Sequence, residues 1–223
     1  MLKRYTQKQI EKRIAEQEEW MKRLEERYGI PQAYLHAVLL KEMKEIDWMD
    51  ILADGAVKCY WLRYDLLSWV RRVFKKPPLR RFPGGLLKKR DSSTGYAQIF
   101  AYVAIRAMRF SLQKGLEPGP EAFGFSRDHV PDEKDPADLG RVWRRLNGDP
   151  QFNLRLAALN LISAAEEMTG RMDFSSFSPE EIQLIFTRYN ANARTITDYG
   201  RETYQHYLSF SVKAQEDRIT KAS

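Results

Sequence analysis

The sequence is poor in the residues from which closed chemical sites are built. It holds one cysteine, Cys59, so no internal disulfide can form, and cysteine usage neither demands nor excludes an oxidising compartment. Its three histidines, His36, His129 and His206, show no ligand spacing; with a single thiol beside them they make no zinc set, and no metal and no cofactor are expected. No run of about eighteen apolar residues is present, so no integral membrane segment is expected. The opening MLKRYTQKQIEKRIAEQ lacks the apolar core of a signal peptide. No internal repeat is visible, and positions 71–90 contain no acidic residue.

What is there points to a folded, basic chain. Its 223 residues are 43% hydrophobic and 12% aromatic, enough to bury a core as one large domain or as one domain with appendages. The formal charge is +7, and nine cations in one segment exceed it: Arg71, Arg72, Lys75, Lys76, Arg80, Arg81, Lys88, Lys89 and Arg90. The remainder of the chain is therefore slightly acidic. With its prolines and glycines, KKPPLRRFPGGLLKKR reads as an irregular insertion whose positive surface suits an anionic polymer such as nucleic acid, anionic lipid or an acidic wall polymer. A solvated loop that only aids solubility accounts for the same charges.

Periodicity predicts a mainly α-helical chain. Residues 7–28 place Ile10, Ile14, Gln17, Met21, Leu24 and Tyr28 at alternating spacings of four and three, a pattern that fits a helix docked on the main domain or a short dimerising zipper. A helix follows Gly29, with Pro31 in its first turn. Another is expected over VKCYWLRYDLLSWVRRVF, with Trp61, Tyr64, Leu66, Leu67 and Val70 on its apolar face. DSSTGYAQIF reads as a turn or short hairpin before a helix beginning near Phe100, and KGLEPGPEAFGFSRDHVPDEKDPADLG as a long surface excursion. Helix returns in DPQFNLRLAALNLISAAEEM and, after a capping-box start at Ser178, Pro179 and Glu181, in SPEEIQLIFTRYN. KAQEDRITKAS reads as a frayed polar tail. The expected organisation is an N-terminal amphipathic helix over 1–28, a domain over 29–210 with a basic insertion at 60–90, and a tail over 211–223.

One carboxylate stands out. In IPQAYLHAVLLKEMKEI, residues 30–46, Leu35, Val38, Leu39 and Ile46 fall on one helical face, and Glu42 lies three residues after Leu39 and four before Ile46. A carboxylate within an apolar stripe needs a partner or a proton, because desolvating its charge costs several kcal/mol. A helix-end ion pair is the plain explanation and general acid/base chemistry the sharper one. Glu45, the nearest rival, falls one residue short of the position held by Ile46.

Taken in order, Glu42 in LLKEM, Thr94–Ile99 in TGYAQI, Asn153 in DPQFNLRLAALNL, and Tyr189 with Asn190 in FTRYNANAR resemble the landmarks of the lysozyme-like superfamily. The likeness is greatest to lytic transglycosylases and goose-type lysozymes and covers about residues 30–207. It implies a lysozyme-like α+β fold, helical with a minor β-hairpin near the Gly-x-x-Gln turn. It also implies cleavage of the β-1,4 bond between N-acetylmuramic acid and N-acetylglucosamine in peptidoglycan glycan strands. On that resemblance Glu42 is the general acid/base, its pKa raised by desolvation, and Tyr189 steadies its carboxyl group. Asp91 is a candidate second carboxylate, placed to position a water; Asp47, Asp50 and Asp54 are weaker candidates in a loop after the Glu42 helix. Gly95, Tyr96 and Gln98 bring the turn and an amide to the sugar, while Asn153 bonds a sugar or the Glu42 helix, and Asn190 completes the Tyr-Asn pair. Tyr199, Tyr204 and Tyr207 line a saccharide groove or pack in the core.

Departures from the family pattern are the MKEI after the glutamate, the 53 residues between Glu42 and Gly95, the turn GYAQI, and RYNAN. Two other readings stay open: a basic helical nucleic-acid-binding module, and a lysozyme-like interaction protein without catalysis. With no signal peptide in the chain, action at the bacterial cell wall is expected to depend on a larger secreted protein, a secretion system or phage lysis.

Overall fold

The computed structural model describes residues 5–77, 79 and 90–222, with side chains to residue 211. The protein is mainly helical, with nine α-helices among the described residues and an isolated antiparallel bridge between Thr94 and Ile99. No helix among them is long and apolar enough to cross a membrane, and they hold no cluster of potential metal ligands. The chain divides into a central unit, Ile46–Leu156, and a terminal unit built from Tyr5–Glu45 and Ala157–Ser223.

In the terminal unit, α1 (Gln7–Ala15) starts from a capping box in which Thr6 and Gln9 satisfy each other's backbone N–H groups. α2 (Glu18–Tyr28) ends on Gly29 in the left-handed conformation. The heptad stretch is thus two helices rather than one. The Gln17 N–H turns back to the Ile14 carbonyl, and Gln17 lies at φ −106°, ψ 0°, off the helical path. Ile10, Ile14, Met21 and Leu24 are buried, and both helices pack on α3 (Gln32–Glu45). α3 is the apolar centre of this unit: Tyr34, Leu35, Val38 and Leu39 are fully buried. Tyr34 meets the rings of Phe174, Phe186 and Tyr207.

α8 (Pro179–Asn190) begins at the expected Ser178 and Glu181 capping box. α9 (Asp198–Ala222) packs on both α3 and α8. Gly200 makes the α8–α9 contact possible, since a Cβ there would stand 2.1 Å from Thr187 Oγ1. The α9 backbone stays helical to Ala222, within the segment expected to be a frayed tail.

In the central unit, α4 (Trp48–Val73) is longer than its sequence pattern indicates. Asp47 and Asp50 form a third capping box, so the stretch expected to be a loop after Glu42 is the first turns of a helix, with Asp54 inside it. Arg71 and Arg72 belong to its last turn, within the stretch expected to be helical; Arg80, Arg81, Lys88 and Lys89 lie outside the described residues. Trp61 and Tyr64 face the core as expected, whereas Leu66 is exposed. α5 (Ala101–Gln113) begins one residue after Phe100. The presumed excursion contains a 3-10 turn at Pro120–Phe123 and α6 (Pro136–Gly148), which starts with Asp135 as cap and Pro136 in its first turn. α7 (Pro150–Thr169) gives its first turns to the central unit and the rest to the terminal one.

Candidate functional site

In the terminal unit Glu42 lies on α3 with 9% of its surface exposed. Tyr199, in the first turn of α9, donates its hydroxyl to Glu42 Oε1 at 2.5 Å. Tyr189, the next-to-last residue of α8, is buried and interacts electrostatically with the same carboxyl group. Burial holds both phenols well above their ordinary range, and the Glu42 charge adds to it, so each keeps its proton; that of Tyr199 is donated to Glu42. Three helices therefore bring one carboxyl and two phenols together. Tyr189 was expected from sequence; Tyr199, read there only as a groove or core residue, makes the short bond.

Lys41, the neighbour of Glu42 on α3, is buried to 6% exposure and holds the Glu45 and Glu202 carboxylates. Burial opposes its charge, but the hydrogen bonds to Glu202 and Glu45 prevail and raise its pKa. Its ammonium stands 5.6 Å from the centre of the Tyr199 ring. Glu45 is thus committed to an i,i+4 pair with Lys41 on the exposed side. Asn190 ends α8 as an exposed residue, and Asn160 Nδ2 reaches the Tyr189 carbonyl at 3.5 Å, next to the phenol-bearing residue. Tyr204 stacks on Tyr207, which contacts Tyr34 and Phe186. His206 is lowered by burial and by the nearby Lys44 and Lys41.

The central unit uses its polar residues differently. Thr94 and Ile99 exchange two backbone hydrogen bonds of 3.2 Å around the turn that holds Gly95, Tyr96, Ala97 and Gln98. Asn153 is fully buried beneath this turn; it accepts from the Ala97 N–H at 2.9 Å and donates to the Thr94 carbonyl at 2.9 Å. Gly95 lies at φ +76°, and a Cβ on it would stand 2.2 Å from Asn153 Nδ2. The close approach that requires glycine is to this amide. Gln98 turns its own amide back to the Gly95 carbonyl at 2.7 Å, and Tyr96 is half-buried.

Asp54 is the residue that sequence reasoning most underrated here. Its carboxylate accepts from Ser92 Oγ at 2.6 Å and Thr94 Oγ1 at 3.1 Å. Ser92 in turn accepts from the Trp143 indole and Thr94 from the Asn147 amide. Asp91 caps α5, taking the Ala101 and Tyr102 N–H groups at 3.0 Å each. Burial nevertheless lifts its pKa to about 6, against the lowering by those backbone bonds. Asp47 and Asp50 close the α4 capping box. No local pattern announces the Asp54 network, because its partners lie 38 and 40 residues away.

Comparison with protein-family models, with curated proteins and with solved structures gave no match.

Proposed function

We propose that this protein is a peptidoglycan-cleaving glycosidase, a lytic transglycosylase or muramidase of lysozyme-like α+β type with its minor hairpin at Thr94–Ile99. Glu42 is its general acid/base. The observation that carries the reading is the buried Glu42 carboxyl held by the Tyr199 hydroxyl, with Tyr189 beside it. A carboxyl group removed from water and oriented by a phenol that keeps its proton is suited to exchange a proton with a bound substrate.

In this reading Glu42 gives its proton to the glycosidic oxygen as the bond to the muramyl C1 breaks, releasing the 4-hydroxyl of N-acetylglucosamine. The resulting carboxylate then takes a proton from the nucleophile that attacks C1. That nucleophile is the muramyl 6-hydroxyl in a transglycosylase and water in a muramidase. Asp91 is committed to two backbone N–H groups at the start of α5, which favours the single-acid route and an anhydro product. Asn153, Gly95 and Gln98 are engaged within their own turn, so their part is to build the hairpin rather than to hold sugar. The positive residues from Arg71 to Arg90 would draw the enzyme to an anionic wall, most strongly at low salt.

Digestion of purified peptidoglycan by the wild type and by Glu42→Gln, with released muropeptides identified by mass spectrometry, tests the proposal. Anhydro-muropeptides from the wild type alone are expected. Reducing-end products would assign a muramidase instead, and equal release by both proteins would remove Glu42 from the chemistry. A folded wild type that releases nothing would favour the interaction protein without catalysis.

A further inference from the structure

α4 carries a second pattern that its core contacts do not use. Trp48, Leu52, Gly55, Cys59, Leu62, Leu66, Trp69 and Val73 follow one another at spacings of four and three, an unbroken heptad seam along the helix. The seam faces away from the core formed by Val57, Tyr60, Trp61 and Tyr64. Its six large side chains are 49–61% exposed, and Met49, Ile51 and Phe74 beside it are exposed as well. A helix of 26 residues is about 39 Å long. Six half-exposed large side chains offer on the order of 600 Å² per protomer, and their exposed neighbours bring this close to the roughly 800 Å² of a standard interface.

We propose that this seam is a homodimer interface in which α4 of a second copy packs antiparallel. Steric complementarity selects the direction. With the two helices antiparallel, Gly55 faces Leu66 of the other copy, Cys59 faces Leu62, Leu52 faces Trp69 and Trp48 faces Val73. Small residues then meet large ones in the central layers. In a parallel pair each residue meets itself, leaving a void at Gly55 and stacking bulky Trp48 and Trp69 on their own copies.

Charge selects the same direction. The flanking positions of the seam include Lys58, Arg63 and Asp65, all exposed. Antiparallel packing sets Lys58 against Asp65 of the partner copy, twice by symmetry, whereas parallel packing sets Lys58 against the partner copy's Arg63. Asp65 also accepts from Arg144 of its own chain at 3.1 Å and stays 49% exposed on its side chain, within reach of a second cation. The unbroken two-in-seven spacing suits a partner helix better than a lipid surface. The interface lies within the central unit and is independent of the chemistry assigned to Glu42.

Sedimentation velocity of the full chain over a range of concentrations tests the interface. The wild type is expected to dimerise, and Leu62→Glu with Leu66→Glu to sediment as a monomer with an unchanged circular dichroism spectrum. Lys58→Glu and Asp65→Lys, each alone, should weaken the dimer about tenfold, and an equimolar mixture of the two should recover it, since both cross-pairs become attractive. Oxidation of Leu62→Cys should join Cys59 of one copy to the introduced thiol of the other. A wild type that is monomeric at all concentrations, with or without binding to vesicles of anionic phospholipid, would overturn the proposal. A wild-type dimer readily linked through Cys59 to Cys59 would overturn the antiparallel arrangement.

Discussion

The two units place buried polar groups to opposite ends. In the central unit Asn153, Gly95, Gln98 and Asp91 close hydrogen bonds with nearby backbone, and Asp54 ties Ser92 and Thr94 to α4. In the terminal unit the buried Glu42 carboxyl takes a hydrogen bond from the Tyr199 hydroxyl, a donor brought to it by another helix. A polar side chain satisfied by main-chain groups has a framework role and costs stability when it is lost. Asp54 is held by hydroxyls too, but it is half-buried and ties two segments together, whereas Glu42 is buried to 9% exposure beside two buried phenols, a costly arrangement that marks a candidate for function. The comparison therefore separates polar groups closed on the framework from a buried carboxyl whose place the framework does not explain.

The sharpest test of that contrast is Glu42→Gln, which is expected to lower the rate of glycan cleavage by on the order of 10³-fold or more while the melting temperature holds or rises. A variant that unfolds would move Glu42 to the framework class. Asn153→Ala should do the reverse, lowering unfolding free energy by about 3 kcal/mol, because the Ala97 N–H and the Thr94 carbonyl lose their partner under the turn. Normal stability with weakened substrate binding would make it a ligand contact and break the comparison.

Asp91 gives a pH test of the framework. Its carboxyl titrates at about 6 in the folded protein, against 3.8 ordinarily. Its contribution is therefore fully present below about pH 4 and is lost as pH rises through 6, by about 3 kcal/mol. Denaturant melts across this range should show that decline in the wild type and not in Asp91→Asn; identical pH profiles would dismiss the shifted carboxyl. The smallest effect is expected from Tyr199→Phe, which keeps the ring and removes the hydroxyl. Stability should fall by about 1 kcal/mol and the cleavage rate by about tenfold. An unchanged rate would show that the hydroxyl does not position Glu42 for reaction.

Much of the helical framework is legible without coordinates. The break at Gly29 and the Ser178 and Glu181 capping box depend on interactions within a few residues, and both stand where the pattern places them. The Asp47 and Asp50 box at the start of α4 was equally local but was hidden by acidic residues that read as loop. The heptad of residues 7–28 concealed a break at Gln17, because periodicity reports which face is apolar and says little about a single turn. Of the candidate site, the anomaly of Glu42 was visible as a charge within an apolar stripe.

By itself the sequence determined a mainly helical chain, its local starts and stops, and the residue whose burial demands explanation. Tertiary structure alone decided that Tyr199, 157 residues from Glu42, holds that carboxyl group, that Asn153 clamps a turn 56 residues away, and that Asp54 anchors the segment leading into it. The reason is physical. Caps and helical faces arise from neighbours three or four residues apart, whereas a hydrogen bond between distant side chains exists only after helix packing has fixed their positions.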